Sequence, residues 1–367
     1  MTEEDWEARA IAAEEECSRL RLKVRELESE LDVLACADDG YEPLRIHGLA
    51  KTLAPEPYGV IEGACGGANC LAVALLSASS FVVSGADGSV RWFEDGVEKS
   101  RQTVSSPAIA LRKRPKSDEI FASTMDGSTY VLAESSPSVR HKDHEKLAVD
   151  CDWSPDGRLM ASAARDKSVA LYANGVKERT FVLPNSPECV RFVDDRTLVV
   201  AARQEPFLRY VDVETMKETR CSLNASAWDA HVSFDVLNAA VRGDYIAVAT
   251  STHRHIVYKV RQNKHVRVLT GHASDEYANT RIAWLGGGGG NDDDSLVSSS
   301  AATDPSLYQW DFSSGKLLTK VERAHGQGGV RNLDALSGGG EIINRLLATT
   351  SFDKTVKLWH LGTTTTG

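Results

Sequence analysis

The chain has no apolar run long enough to cross a bilayer as a helix, which takes roughly 20 residues. The run at 71–76 is among its longest and is the size of a strand. It also lacks a surplus of basic charge. Its 42 Lys and Arg against 52 Asp and Glu leave a net charge of −10, which argues against a protein that grips bulk nucleic acid by displacing counterions from phosphates. The start of the chain, 1–5, is acidic, so it reads neither as a secretory signal nor as an Arg-rich transit peptide. The cysteines (Cys17, Cys36, Cys65, Cys70, Cys151, Cys189 and Cys221) are odd in number and show no C-x-x-C spacing. The expectation is reduced thiols in a cytoplasmic protein, with the nucleus as a second location, rather than a disulfide framework.

The motifs of common enzymes are missing too. The Gly-rich stretch 63–70 lacks the lysine of a phosphate-binding loop, and there is no G-x-S-x-G elbow. His253 and His255 alternate onto one face of a strand with His265 nearby. No cysteine or carboxylate joins them at ligand spacing, so surface histidines are expected rather than a metal site. The acidic run 291–294 follows five glycines and reads as a solvated loop. The basic run 112–116 fits a hairpin tip as well as a nuclear-import signal. No catalytic residue, cofactor or metal is expected.

What is present begins with a heptad seam over 3–36. Trp6, Ala13, Leu20, Leu27 and Leu34 take the d positions and Ala10, Cys17, Val24 and Leu31 the a positions. The alternating spacing of 4 and 3 keeps one stripe on one side of an underwound helix. In a parallel pair Arg9 meets Glu14, Glu16 meets Arg21 and Lys23 meets Glu28, all attractive. A coiled-coil helix over 1–39 is expected, pairing with a second copy or another protein; packing on the chain's own body is the alternative.

From residue 80 onward short apolar runs alternate with Asp-Gly and Pro-Asp-Gly turns, an all-β signature, and the runs repeat. In 144–172, His144 precedes a strand, Ser154-Pro155-Asp156-Gly157 forms a turn, a second strand leads to Asp166, and Tyr172 lies six residues on. His325, Asp353 and Trp359 repeat the pattern, as do His272, Asp304 and Trp310. The aromatic position falls at Phe93, Leu132, Tyr172, Val211, Tyr258, Trp310 and Trp359, spaced 39, 40, 39, 47, 52 and 49 residues. Units 4 and 5 rest on spacing: unit 4 lacks a clear Asp, and Thr252 stands at that position in unit 5. A six-bladed or distorted ring therefore stays open.

These units resemble the WD40 repeat, whose period is about 40 residues. The resemblance covers 43–361, leaves 362–367 as a disordered tail, and implies an all-β, seven-bladed WD40-type β-propeller preceded by the N-terminal coiled-coil α-helix. That layout is similar to the heterotrimeric G-protein β subunit in architecture. It implies that His144 with Asp166, His272 with Asp304 and Trp310, and His325 with Asp353 and Trp359 form structural hydrogen-bonded tetrads. The segment 43–53 is expected to close the ring by adding a fourth strand to the last unit.

The resemblance further implies a scaffold or adaptor that binds partner proteins on the face bearing the turns between second and third strands. The residue before each motif acid projects there: Ala86, Met125, Arg165, Gln204, Ser251, Thr303 and Phe352. Met125, Arg165, Gln204 and Phe352 are the candidate partner-binding residues, because aromatic, Arg and thioether side chains suit interface hot spots. Partners are therefore expected to be proteins, with no nucleic acid and no membrane. Two alternatives stay open, a propeller-based hydrolase with loop-borne residues and a ubiquitin-ligase substrate receptor. The latter is disfavoured because no Arg stands two residues past Trp310-Asp311 or Trp359-His360.

Overall fold

The computed structural model describes residues 52–360 apart from 224–233, 263–264, 274–278, 287–293, 301–303, 327 and 337–345, together with Glu16, Arg19 and Leu20. Among the described residues the strands form seven four-stranded antiparallel sheets. Blade 1 runs from inner strand Cys70–Leu75 to outer strand Val97–Thr103, and blade 2 from Ala108–Lys113 to Ser136–Lys142. Blade 3 runs from Ala148–Trp153 to Val176–Val182, and blade 4 from Pro187–Phe192 to Glu218–Ser222. Blade 5 runs from Val236–Arg242 to His265–Thr270, and blade 6 from Ile282–Leu285 to Leu317–Val321. Blade 7 takes Val330–Leu336, Leu346–Ser351 and Thr355–His360, then borrows Gly59–Glu62 as its outer strand.

That borrowed strand closes the ring. Gly59 pairs with Leu358 and Glu62 with Thr355, so the two ends of the circle share one sheet and the last blade is completed to four strands. The closing strand is not 43–53, as the sequence led us to expect. Pro55 and Pro57 have no N–H to give a ladder, so pairing before Gly59 is reduced to Ala54 N–H on His360 O (3.1 Å) and Tyr58 N–H on Leu358 O (2.9 Å). The expected helix over 1–39, with its seam at Trp6, Ala10, Ala13, Cys17, Val24, Leu27, Leu31 and Leu34, lies outside the described residues. Leu20 alone of the seam is described, helical and exposed. The chain at 43–51 and 361–367 lies outside them as well.

The blades have no private cores. Each of seven apolar clusters straddles two neighbouring blades, from Val82 and Trp92 against Leu111 and Ile120 to Phe81 and Phe93 against Ala348 and Val356 across the closure. A four-stranded sheet buries both faces only in such a ring, which is why the repeat must recur. All seven aromatic-position residues, Phe93 to Trp359, sit on third strands and are buried, each worth about 1.5–3 kcal/mol of transfer free energy. Units 4 and 5 are regular blades. The five described cysteines are buried and unbridged.

Candidate interaction face

The turns between second and third strands all emerge on one face, and each is tied down by polar contacts. In blade 7 the tie is a relay. Trp359 Nε1–H donates to Thr349 Oγ1 (2.9 Å), Thr349 Oγ1 lies 2.8 Å from His325 Nε2, and His325 Nδ1 lies 3.0 Å from Asp353 Oδ2. The carboxylate beside Nδ1 fixes that nitrogen as the donor, leaving Nε2 to accept from the threonine. Asp353 also takes the N–H groups of Gly326 (2.9 Å) and Thr355 (3.0 Å). Burial works against its charge, but His325 and these donors hold its pKa below the ordinary value. Burial pushes the pKa of His325 down, against the pull of Asp353.

Blade 3 builds the same relay with one more step. Tyr172 OH lies 3.3 Å from Ser162 Oγ, which is 2.7 Å from His144 Nε2. His144 Nδ1 reaches Ser168 Oγ (2.6 Å) rather than Asp166, 3.8 Å away, and the Ser168 hydroxyl passes the link to Asp166.

In blade 6, His272, Asp304 and Trp310 are present but not joined. Trp310 Nε1–H donates to Thr270 O of blade 5 (2.8 Å), and His272 Nε2–H donates to Thr252 O (3.1 Å). Tyr308 OH takes the carboxylate of Asp304 (2.9 Å) and so occupies the place of the histidine. Ser298, the counterpart of Thr349, is bound by His255 Nε2 (3.0 Å) instead. His255 is therefore no surface residue, as its spacing had suggested. It is fully buried and stacks on His272 with ring centroids 3.8 Å apart. Burial, and then the neighbouring ring, hold the pKa of His255 well below the ordinary value; burial takes His272 down to about 4.

Blades 1 and 4 use a different tie, which the sequence reading missed. Arg209 grips Glu205 with Nε (2.7 Å) and Nη2 (2.7 Å), and Glu218 with Nη1 (2.6 Å). Arg91 binds Asp87 (3.0 Å), Ser89 (2.9 Å) and Glu98 (3.3 Å) in the same register. Glu205 is thus the acid that unit 4 seemed to lack. The signal was available: an acid, three residues, then an Arg two places before the aromatic position, at 87–91 and 205–209.

On this scaffold the candidate contact residues divide. Met125 and Phe352 are exposed, at 42% and 41%. Phe352 is braced, with the Arg331 guanidinium 5.4 Å from its ring centroid and Gly328 against its Cβ. Gly328 lies at φ +105, and an added Cβ would come within 3.0 Å of that side chain. Gln204 is exposed in a left-handed conformation (φ 56), its N–H donated to Asp235 (2.9 Å). Arg165 is half-committed: Nη2 reaches Glu188 at 2.9 Å, Nη1 contacts the same carboxylate, and Arg203 shares it. Its charge is therefore largely spent within the face. Ala86 is exposed, Ser251 partly buried, and Thr303 lies outside the described residues.

His144 and His325 are buried in relays, and burial pushes the Cys151 and Cys189 thiols up to about 12. Among the described residues no three His, Cys, Asp or Glu side chains are placed to hold a metal ion.

A family model described as WD domain, G-beta repeat matches residues 136–172 and 315–360. Those segments contain the third strands and motif acids of the two blades whose relays are complete. A search of curated proteins returns no match. The chain thus carries WD40 repeats at 136–172 and 315–360 within a closed ring of seven four-stranded sheets, a seven-bladed β-propeller.

Proposed function

We propose that the chain is a non-enzymatic scaffold or adaptor that binds partner proteins on the propeller face carrying Met125, Gln204 and Phe352, with Arg165 at its edge. The observation that carries this reading is Phe352, an exposed aromatic braced by Arg331 and Gly328 on a face whose turns are otherwise locked. A side chain held in place before binding loses little entropy on contact, which is what makes aromatic anchors effective. Met125 supplies an adaptable apolar surface on the same face.

The heptad seam is the proposed assembly device, giving a homodimer or a hetero-assembly, and the cytoplasm, with the nucleus second, is the proposed setting. A photo-crosslinking amino acid at position 352 is expected to capture a discrete protein in native cells. The same group at Val176, on the outer strand of blade 3, is expected to capture none. Capture from 176 but not from 352 contradicts the assignment of the face. Sedimentation of the full chain against residues 41–367 tests the seam: the full chain is expected to lose its self-association or its partner on truncation.

A further inference from the structure

The inner strands place a group of charges around the axis of the ring. Strand registers align Asp150, Asn238, Arg281 and Asn332 at one level and Arg112, Asp152, Arg191 and Asp334 at the next. Most of these groups already have work within the wall. Asp152 accepts Phe192 N–H (2.9 Å), Asp334 accepts Leu75 N–H (2.8 Å) and Asn238 accepts Ile282 N–H (3.3 Å). Arg191 joins Asp150 of blade 3 to Ala239 O of blade 5.

Arg281 is different. It lies just before the inner strand of blade 6; among the described residues no carboxylate forms an ion pair with it, and its buried Nε has no hydrogen-bond partner. Arg331, at the bulge of the next inner strand, has the ring of Phe352 and, among the described residues, no carboxylate in an ion pair. Both are only partly buried, at the end of the inner strands that opens on the face bearing Phe352. Burial first, and then Arg331, Arg112 and Arg191, press Arg281 toward losing its proton, with Asp150 opposing; its pKa falls to about 10, so it stays charged at neutral pH. Four arginines thus share a space with three aspartates, each of which already accepts a backbone N–H. A partly desolvated cation among like charges calls for a counter-charge. Guanidinium groups bind oxyanions with strong, directed hydrogen bonds.

We propose that the mouth of the central channel, between Arg281 and Arg331, is a binding site for a phosphate-sized oxyanion. Arg191 Nη2 and Asn238 Nδ2, on the inner strands of blades 4 and 5, also lack partners among the described residues and are further donors, beside the acceptors Asp150 Oδ1 and Asn332 Oδ1, likewise without hydrogen-bond partners.

The test is thermal melting of the full chain in inorganic phosphate against chloride at equal ionic strength. A ligand that binds only the folded form raises the melting temperature with concentration. Phosphate is expected to raise it dose-dependently in the native protein and in Arg101→Gln, a control for lost surface charge on blade 1. In Arg281→Gln the apparent affinity is expected to fall by about tenfold or more, while the melt in chloride is unchanged or higher because a repelled charge is gone. O-phosphoserine in place of phosphate distinguishes sources: an equal shift means that a phosphate ester is accepted, and no shift means that the site takes the free ion. Equal phosphate shifts in the native protein and Arg281→Gln, or no shift in the native protein, overturn the proposal.

Discussion

Blades 3 and 7 and blades 1 and 4 hold the same turn by different means. In the first pair a buried neutral histidine relays hydrogen bonds from an aromatic ring to the turn acid. In the second an arginine from the third strand grips the acid directly. The relay spends uncharged groups and only one partly buried carboxylate. The clamp in blade 4 buries a full ion pair, with Arg209 3% and Glu205 4% exposed at their side chains. The ring therefore requires that the turn be tied to the third strand, and not that it be tied by histidine. Blades 5 and 6 show what happens between these solutions: His272 leaves its acid to Tyr308 and stacks on His255.

The difference can be broken most forcefully in blade 4. Removing one partner of a buried ion pair costs about 3–5 kcal/mol where the other charge is left stranded; Arg209 would keep Glu218 through Nη1, which places the cost at the lower end of that range. Glu205→Ala is expected to destabilise by that order in urea unfolding, whereas Glu205→Gln combined with Arg209→Met recovers much of the loss. A loss below about 1 kcal/mol in the single variant would mean that the clamp is ornamental.

The stacked histidines give the next effect, and its sign follows from protonation. An unfolded histidine takes its proton near pH 6.5, while folded His272 does so only near 4. The unfolded chain thus binds more protons in that window, and stability falls as the pH is lowered from 6.5 to 4, by about 3 kcal/mol for His272 alone. Melting across this range is expected to show a shallower slope in His272→Gln than in the native protein. That difference isolates the ring from the carboxylates.

Smaller again is Thr349→Val in blade 7. It keeps the shape but leaves Trp359 Nε1 and His325 Nε2 without their shared partner, at about 1–3 kcal/mol. The least effect on folding is expected for Phe352→Ala, about 1 kcal/mol or less, since the ring is exposed and loses mainly its contacts with Arg331 and Gly328. The Arg165→Glu change would be a poor probe of the face, because it would set a second carboxylate against Glu188.

The same comparison explains what could be read in the sequence. The relays of blades 3 and 7 were legible because histidine, acid and aromatic recur at fixed spacing and the chemistry needs all of them. The clamp was not, because Glu205 hid behind the expectation of an aspartate, although its four-residue spacing to Arg209 matches that of Asp87 to Arg91. Blade 6 misled, since the residues of a relay were present while Tyr308, two residues before Trp310 on the same strand, took the acid. The closing strand was placed in the right part of the chain but too early, because the missing N–H groups of Pro55 and Pro57 were not weighed. Met125 and Phe352 were legible as positions on a face; the bracing of Phe352 by Arg331 depends on a bulge that no local pattern announces.

Affinity purification with mass spectrometry from native cells, comparing the full chain with a Phe352→Ala, Met125→Ala variant of unchanged melting temperature, tests the central claim most directly. The account predicts that at least one protein co-purifying with the native chain is lost by tenfold or more from the variant, as expected when hot-spot side chains are removed. Equal recovery of every partner by the folded variant would contradict it.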